Sequence, residues 1–255
     1  MSYLSFYCRR KLLELSFGLG TFPKPTIYVG LGSESPIDPP GTMVEIPNQD
    51  YKRKKFSQWG IVPSRRVINN RAITFNALSD WGLIRYFSLW DARVGGNLLG
   101  YGSLDTVLEA PSGAVLSFGK GKLIFDILSG TITNYFSTRI IQHIFGDTEL
   151  TPFETYIGLS YSNLTDDGGH PSEPTNPEYH AIPFDEWDVS DDAMLQNGSR
   201  ADFPLPSSNW GNIKYSFVKD SYDRALLYGK LSQEMMVDVY SPIFIEPYHM
   251  TFVFE

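Results

Sequence analysis

The chain has 255 residues and a net charge of −8, with 42 % hydrophobic and 20 % charged residues, a globular composition that excludes wholesale disorder. Aromatic residues reach 15 %, alongside 22 glycines and 17 prolines, which favours short strands and many turns over long helices. No apolar run approaches the ~18 residues of a membrane-spanning helix, and Arg9, Arg10 and Lys11 break the first apolar stretch, so no secretory leader is expected.

In chain order, Leu4, Cys8 and Leu12 recur at helical spacing, with Gly18 as the expected stop. Strands are then expected over Thr26–Leu31, around Tyr51–Trp59, and over Ala72–Phe75, Gly82–Trp90, Leu98–Leu104, Val115–Phe118 and Lys122–Ile127. The second half opens the same way: Ile132, Phe136, Ile140 and Ile144 form one helix face that ends near Gly146. Strands follow over Thr155–Leu159, around Tyr179–Trp187, and near Ala201–Phe203, Asn212–Val218, Leu226–Leu231, Ile243–Ile245 and Met250–Phe254. Long Pro- and Gly-rich loops, Ser33–Asn48 and Asp166–Pro177, come after the first main strand of each half. Their length suits surface arms that contact neighbours or passive excursions.

The two halves share residues at an offset of about 128. Tyr28-Val29-Gly30-Leu31 returns as Tyr156-Ile157-Gly158-Leu159, and Tyr51, Phe56 and Trp59 as Tyr179, Phe184 and Trp187. After a one-residue insertion Trp81-Gly82 returns as Trp210-Gly211. A collinear series in Trp, Tyr and Gly points to duplication, with domains at 1–128 and 129–255. The expected fold is mostly β: two tandem β-sandwich, jelly-roll-like domains, each opening with a short amphipathic helix. The charges of the halves differ. Residues 1–128 carry 15 Lys+Arg against 10 Asp+Glu, a net +5, while residues 129–255 carry 6 against 19, a net −13. That asymmetry implies different neighbours for each half.

One copy therefore reads as an amphipathic helix ending in Phe17-Gly18, then Pro25-Thr26-Ile27-Tyr28-Val29-Gly30-Leu31, a Pro-rich loop, Tyr51-Lys52-Arg53, Ile73-Thr74-Phe75, Trp81-Gly82, Phe87 with Asp91, Gly96-Asn97-Leu98-Leu99 and Gly102-Ser103-Leu104. This order resembles a family of small tailed-bacteriophage virion proteins commonly labelled tail fibre or tail proteins. The resemblance covers most of residues 3–127, and the second copy follows it more loosely, with His180 and Ala181 in place of the basic pair after the tyrosine. It implies a non-enzymatic structural subunit of the virion, made in the host cytoplasm; the lone Cys8 fits a reducing compartment.

The residues offer little chemistry. His143, His170, His180 and His249 lack metal-ligand spacing, and neither a nucleophile elbow nor a phosphate-binding loop is present. Gly119-Lys120-Gly121-Lys122 precedes a strand and reads as a turn. No catalytic residue and no cofactor is expected. Asp185, Asp188, Asp191 and Asp192, with Glu186 among them, are a weak calcium candidate; the alternative is a solvated acidic face that meets a basic partner. Lys52, Arg53, Lys54 and Lys55, followed by Arg65, Arg66 and Arg71, would alternate between faces in a strand, which argues against nucleic acid and for an acidic protein surface. Interface candidates are thus Lys52, Arg53, Lys54, Lys55, Trp90, Asp185, Glu186 and Asp188, with Trp90 the candidate exposed tryptophan because its counterpart is not Trp. Trp59, Trp81, Gly82, Trp187, Trp210 and Gly211 are expected to be structural.

These readings converge on a tail, baseplate, neck or fibre component that works through contacts with other virion proteins or with copies of itself, without a membrane. Two rivals remain: a capsid decoration or cement protein, and a receptor- or carbohydrate-binding module with tryptophan platforms.

Overall fold

The computed structural model describes residues 2–63, 65–126, 131–167 and 171–253. The expected domain boundary, and with it Ile127, Gly168, Gly169, His170 and Phe254, lies outside the described residues. The fold is mostly β, with two helices among the described residues, as the turn-rich sequence implies.

The first half runs β1 (Ser2–Leu4), α1 (Phe6–Ser16), β2 (Tyr28–Gly32), β3 (Lys54–Lys55), β4 (Trp59–Val62), β5 (Arg66–Asn69), β6 (Ile73–Asn76), β7 (Gly82–Trp90), β8 (Leu98–Ala110), β9 (Val115–Phe118) and β10 (Ile124–Asp126). The second runs α2 (Asn134–Phe145), β11 (Thr155–Ser160), β12 (Ile182–Pro183), β13 (Trp187–Val189), β14 (Leu195–Asn197), β15 (Ala201–Asp202), β16 (Gly211–Asp220), β17 (Ala225–Val237), β18 (Phe244–Ile245) and β19 (Thr251–Phe252). The main antiparallel sheets have the orders β1-β8-β7-β2-β3 and β12-β11-β16-β17. Smaller sheets pair β10-β5-β4, β13-β14-β19, β6-β9 and β15-β18.

The continuous strands expected around Tyr51–Trp59 and Tyr179–Trp187 are absent. Each stretch instead breaks into a two-residue edge strand and a strand in another sheet. The aromatic residues there serve as anchors: Trp59 Nε1 donates to the Phe56 carbonyl at 3.2 Å, and Trp187 Nε1 to the Phe184 carbonyl at 3.2 Å. Those turns carry the chain between layers.

Both helices begin on a hydroxyl cap that is itself tied to a long strand. Ser5 accepts from the Cys8 amide through its side chain and donates its own amide to the Leu99 carbonyl at 2.9 Å. Thr133 caps the Phe136 amide and donates its amide to the Leu226 carbonyl at 3.0 Å. Each cap is worth about 1 kcal/mol to helix stability. After α1 the chain turns at Gly18 with φ +75°. At the end of α2, Gly146 is in extended backbone instead (φ −98°), so its role as a stop is spatial: an added Cβ would lie 3.0 Å from the Gln142 carbonyl.

The apolar stripes of the helices do not close two separate cores. One continuous cluster of buried side chains includes residues from both halves. Phe17, after α1, stacks edge-on against Phe136 of α2 and Trp187 of β13, with ring centroids 6.1 and 5.3 Å apart. Reciprocally, Phe145 of α2 packs on Trp59 of β4 at 5.4 Å and on Phe125 of β10 at 5.8 Å. The Phe153 amide donates to the Ser16 carbonyl at 2.9 Å across the same seam. The buried Arg65 reaches from the first half to the Asn134 side chain (2.8 Å), the Ile132 carbonyl (2.9 Å) and Asp166 (3.3 Å).

Candidate interaction surfaces

Each half fixes its long loop with a tyrosine. Tyr51 Oη accepts from the Leu31 amide at 2.7 Å and donates to Glu45 at 2.9 Å; Tyr179 Oη accepts from the Leu159 amide at 2.8 Å and donates to Glu173 at 2.8 Å. Burial pushes both phenols far above their ordinary value, and the neighbouring carboxylates add to the shift, so both stay protonated donors. Gly30 is required here: a Cβ would meet Ser88 Oγ at 2.7 Å and Glu45 Oε1 at 2.8 Å.

A second brace joins each loop to the turn before the long hairpin. Trp81 Nε1 donates to Asp50 at 2.9 Å, with the Ser79 hydroxyl and Leu78 amide on the same carboxylate. Trp210 Nε1 donates to Glu178 at 3.0 Å, joined by Ser208 and Ser207. The hydroxyl of Ser79 and the Trp81 indole lower the Asp50 pKa to about 2. At Glu178 the indole of Trp210 leads the causes, and the value is again about 2. Gly82 and Gly211 follow these tryptophans at φ +72° and +82°, a backbone that suits glycine.

The sequence misplaced two of its interface candidates. Arg53 is buried: it forks onto Glu45 (2.6 and 3.0 Å), donates to the carbonyls of Ala92 and Gly95, and lies 3.6 Å above the Trp90 ring. Trp90, the candidate exposed platform, is only 6 % exposed, because Arg53 covers it and its Nε1 donates to Ser88 at 2.8 Å. The second half keeps a cation in this place, half-buried, but supplies it from another strand. Ala181 holds the place of Arg53 in the aligned sequence, and Lys219 holds that of Trp90; its Nζ reaches Glu173 at 3.2 Å and Asp223 at 2.7 Å. Burial alone would lower the Lys219 pKa, but its bonds to Asp223 and Glu173 outweigh that and raise it.

Lys52, Lys54 and Lys55 are exposed, as an interface needs. Of the arginines that follow them, Arg65 is buried in the seam, Arg66 pairs with Asp126 at 2.6 Å, and Arg71 is exposed. On the other half Asp185, Glu186, Asp188, Asp191 and Asp192 are all exposed. The weak calcium candidate fails on geometry: among the described residues no three His, Cys, Asp or Glu side chains converge to hold a metal. Asp191 lies 3.7 Å from Arg10. Two clefts flank the seam. One, of about 290 Å³, is lined by Lys24, Lys55, Trp59 and Phe145; the other, of about 430 Å³, by Phe17, Glu154, Asp185 and Trp187.

His143 is also structural. Its Nδ1 accepts from the Leu150 amide at 3.1 Å, which leaves Nε2 to donate to the Phe22 carbonyl at 2.9 Å. Burial lowers its pKa. Cys8 is fully buried, and burial pushes its thiol far up, away from reactive thiolate. Trp81, Trp187 and Trp210 are buried too, and Trp59 is half-buried and packs against the core.

Glu45, Asp50, Glu173 and Glu178 escaped the sequence reading although they recur at the same spacing as the tyrosines. Acids in loops carry no signal of burial or bonding in the sequence.

Residues 3–126 match the family described as Podophage GP4 fiber I protein gp80. The first half of this chain is thus similar to that phage-fibre family. The match covers the stretch from β1 through β10, so the Tyr51–Glu45, Trp81–Asp50 and Arg53–Trp90 braces all lie within it. No curated protein matches the chain. A phage-fibre family implies a place on the virion, among other virion proteins. Among the described residues no helix is long and apolar enough to cross a membrane.

Proposed function

We propose that this chain is a non-enzymatic subunit of the fibre and tail apparatus of a tailed phage, a fused pair of copies of one fold that acts through protein–protein interfaces. The observation that carries the reading is the fibre-family match over residues 3–126. Support for the fused pair comes from bonds repeated at an offset of about 128. Besides the tyrosine and tryptophan braces, the Asn69 side chain bonds the Leu123 amide and the Phe118 and Gly119 carbonyls, and Asn197 likewise bonds the Met250 amide and the Glu246 carbonyl. The seam has the reciprocal form of a two-fold interface, Phe17 on Trp187 and Phe145 on Trp59. Fusion lets equivalent surfaces diverge, and the surface charges have done so.

In this reading the exposed Lys52, Lys54 and Lys55 on one half and Asp185, Glu186 and Asp188 on the other steer docking and set its partners. The test is an electron-microscopy map of the intact particle, with Lys52→Glu, Lys54→Glu and Lys55→Glu introduced together. Density for two similar lobes in the fibre or tail apparatus, and loss of the subunit in the triple variant, are the expected results. Placement on the capsid surface would replace this reading with a decoration protein. A triple variant incorporated normally would remove charge steering from it.

A further inference from the structure

Two tyrosines occupy backbone that disfavours them. Tyr240 has φ +60° and Tyr248 has φ +63°, in the left-handed region that bulky side chains avoid. The same turns exist in the first half with glycine. The Gly113 amide (φ +84°) donates to the Ala77 carbonyl at 2.7 Å, as the Tyr240 amide donates to that of Pro206 at 2.8 Å. The Gly121 amide (φ +73°) donates to the Asn69 carbonyl at 2.8 Å, as that of Tyr248 donates to Asn197 at 2.7 Å. Neither tyrosine gains burial from its strained position: Tyr240 is 71 % and Tyr248 54 % exposed. Strain held without an intramolecular return points to a contact made outside the chain.

The two turns bracket one groove. Its volume is about 440 Å³, and its walls are Leu231–Val237 of β17 and Ser241–Glu246 with His249. Tyr240 directly precedes the wall residue Ser241, and Tyr248 precedes His249. β17 is the end strand of its sheet; the start of its outer edge is bonded by Thr133 and Thr131, at Leu226 and Tyr228, and the groove lies along the remainder, from Leu231 to Val237. The walls carry Glu234 and Glu246, and Met236 is 64 % exposed beside them. Two carboxylates and an exposed methionine in the walls, with a tyrosine at each flanking turn, suit a cationic, extended segment.

We infer that the groove takes the Lys52–Lys55 edge of a second copy of this chain. The inference rests on the reading of an assembly subunit and names one of its partners. The occupant follows from charge and topology: Lys52, Lys54 and Lys55 are exposed, and β3 is the end strand of the other main sheet. The groove belongs to the half at −13 and the lysines to the half at +5. Groove and lysine edge are different surfaces, so the contact is heterologous and leaves one of each free for a further copy, as ring or filament growth requires.

Sedimentation velocity on the full chain tests this directly. The wild type should self-associate with concentration, less so as salt rises. Tyr240→Gly with Tyr248→Gly should weaken association by at least about tenfold while the melting temperature holds or rises, since glycine suits both turns. Lys52→Glu, Lys54→Glu and Lys55→Glu together should do the same from the other half. Mixing the two variants should restore one contact and stop at a pair, because each retains the surface that the other lacks. A wild type that stays monomeric at every concentration, or a tyrosine variant that associates like the wild type, overturns the inference. Neither result touches the fibre reading, which is decided by where the chain lies in the particle.

Discussion

Truncating Phe17 to alanine should destabilise the whole chain, not half of it. The ring is 5 % exposed and lies between Phe136 and Trp187, both contributed by the other half. Removing a buried phenylalanine costs about 3–5 kcal/mol, of which each edge-to-face contact accounts for about 0.5–1.5 kcal/mol. For a chain of this size about 1 kcal/mol moves the melting temperature by about 2–4 °C, so a fall of about 6–20 °C is expected. Calorimetry of the wild type should show one transition, which the variant shifts as a unit. Urea unfolding followed by tryptophan fluorescence should give the same midpoint, because Trp59 and Trp187 both report from the seam. Phe145→Ala, at the reciprocal contact with Trp59, should behave alike. Two calorimetric transitions in the wild type, with Phe17→Ala moving only one, would refute the argument that the halves share a core.

Carboxyl titrations by NMR should place Asp50 and Glu178 near pH 2, below their unfolded values of about 4. The stability these groups contribute is therefore present above pH ~4 and lost as pH falls toward 2; Trp81→Phe should raise the Asp50 midpoint by removing the indole donor. The exchange of one cation for the other should be transplantable: Ala181→Arg or Lys219→Trp alone should lower the melting temperature, and the pair together should recover much of the loss. Arg53→Ala removes the fork onto Glu45, leaving that carboxylate with the Tyr51 hydroxyl, and uncovers the Trp90 ring, so it should cost about 3 kcal/mol in urea unfolding. His143 is held neutral, with a folded pKa below its unfolded value of about 6.5, so the stability present above that pH should decline as pH falls below it. His143→Gln should flatten that decline, read from melting temperatures across pH 5–8.

Patterns of type and spacing are what the sequence determined by itself. The helix stripes at Cys8–Leu12 and Phe136–Ile144 and strands such as Gly82–Trp90 were legible, because burial on one face imposes a period that survives without any tertiary information, whereas Leu4 falls in β1 and Ile132 ahead of the Thr133 cap. The fibre-family likeness was legible too, since glycines and tryptophans at turns are fixed by local backbone and ring size. Strands β5 and β14 escaped because each is short and only one of its two partners is its neighbour in the sequence, the other lying far along the chain. Only the tertiary structure decided the fate of side chains whose type is ambiguous. Arg53 reads as a surface cation until Glu45 and Trp90 enclose it, and Lys219 is another exposed lysine until Ala181 leaves Glu173 without a partner. The seam was likewise invisible: Phe17 and Trp187 are apolar in any reading, and apolarity says that a side chain is buried but never against which neighbour. Direction, partner and solvent access are set by long-range packing, so the charged half-turns and aromatic anchors acquire their roles only when the halves come together.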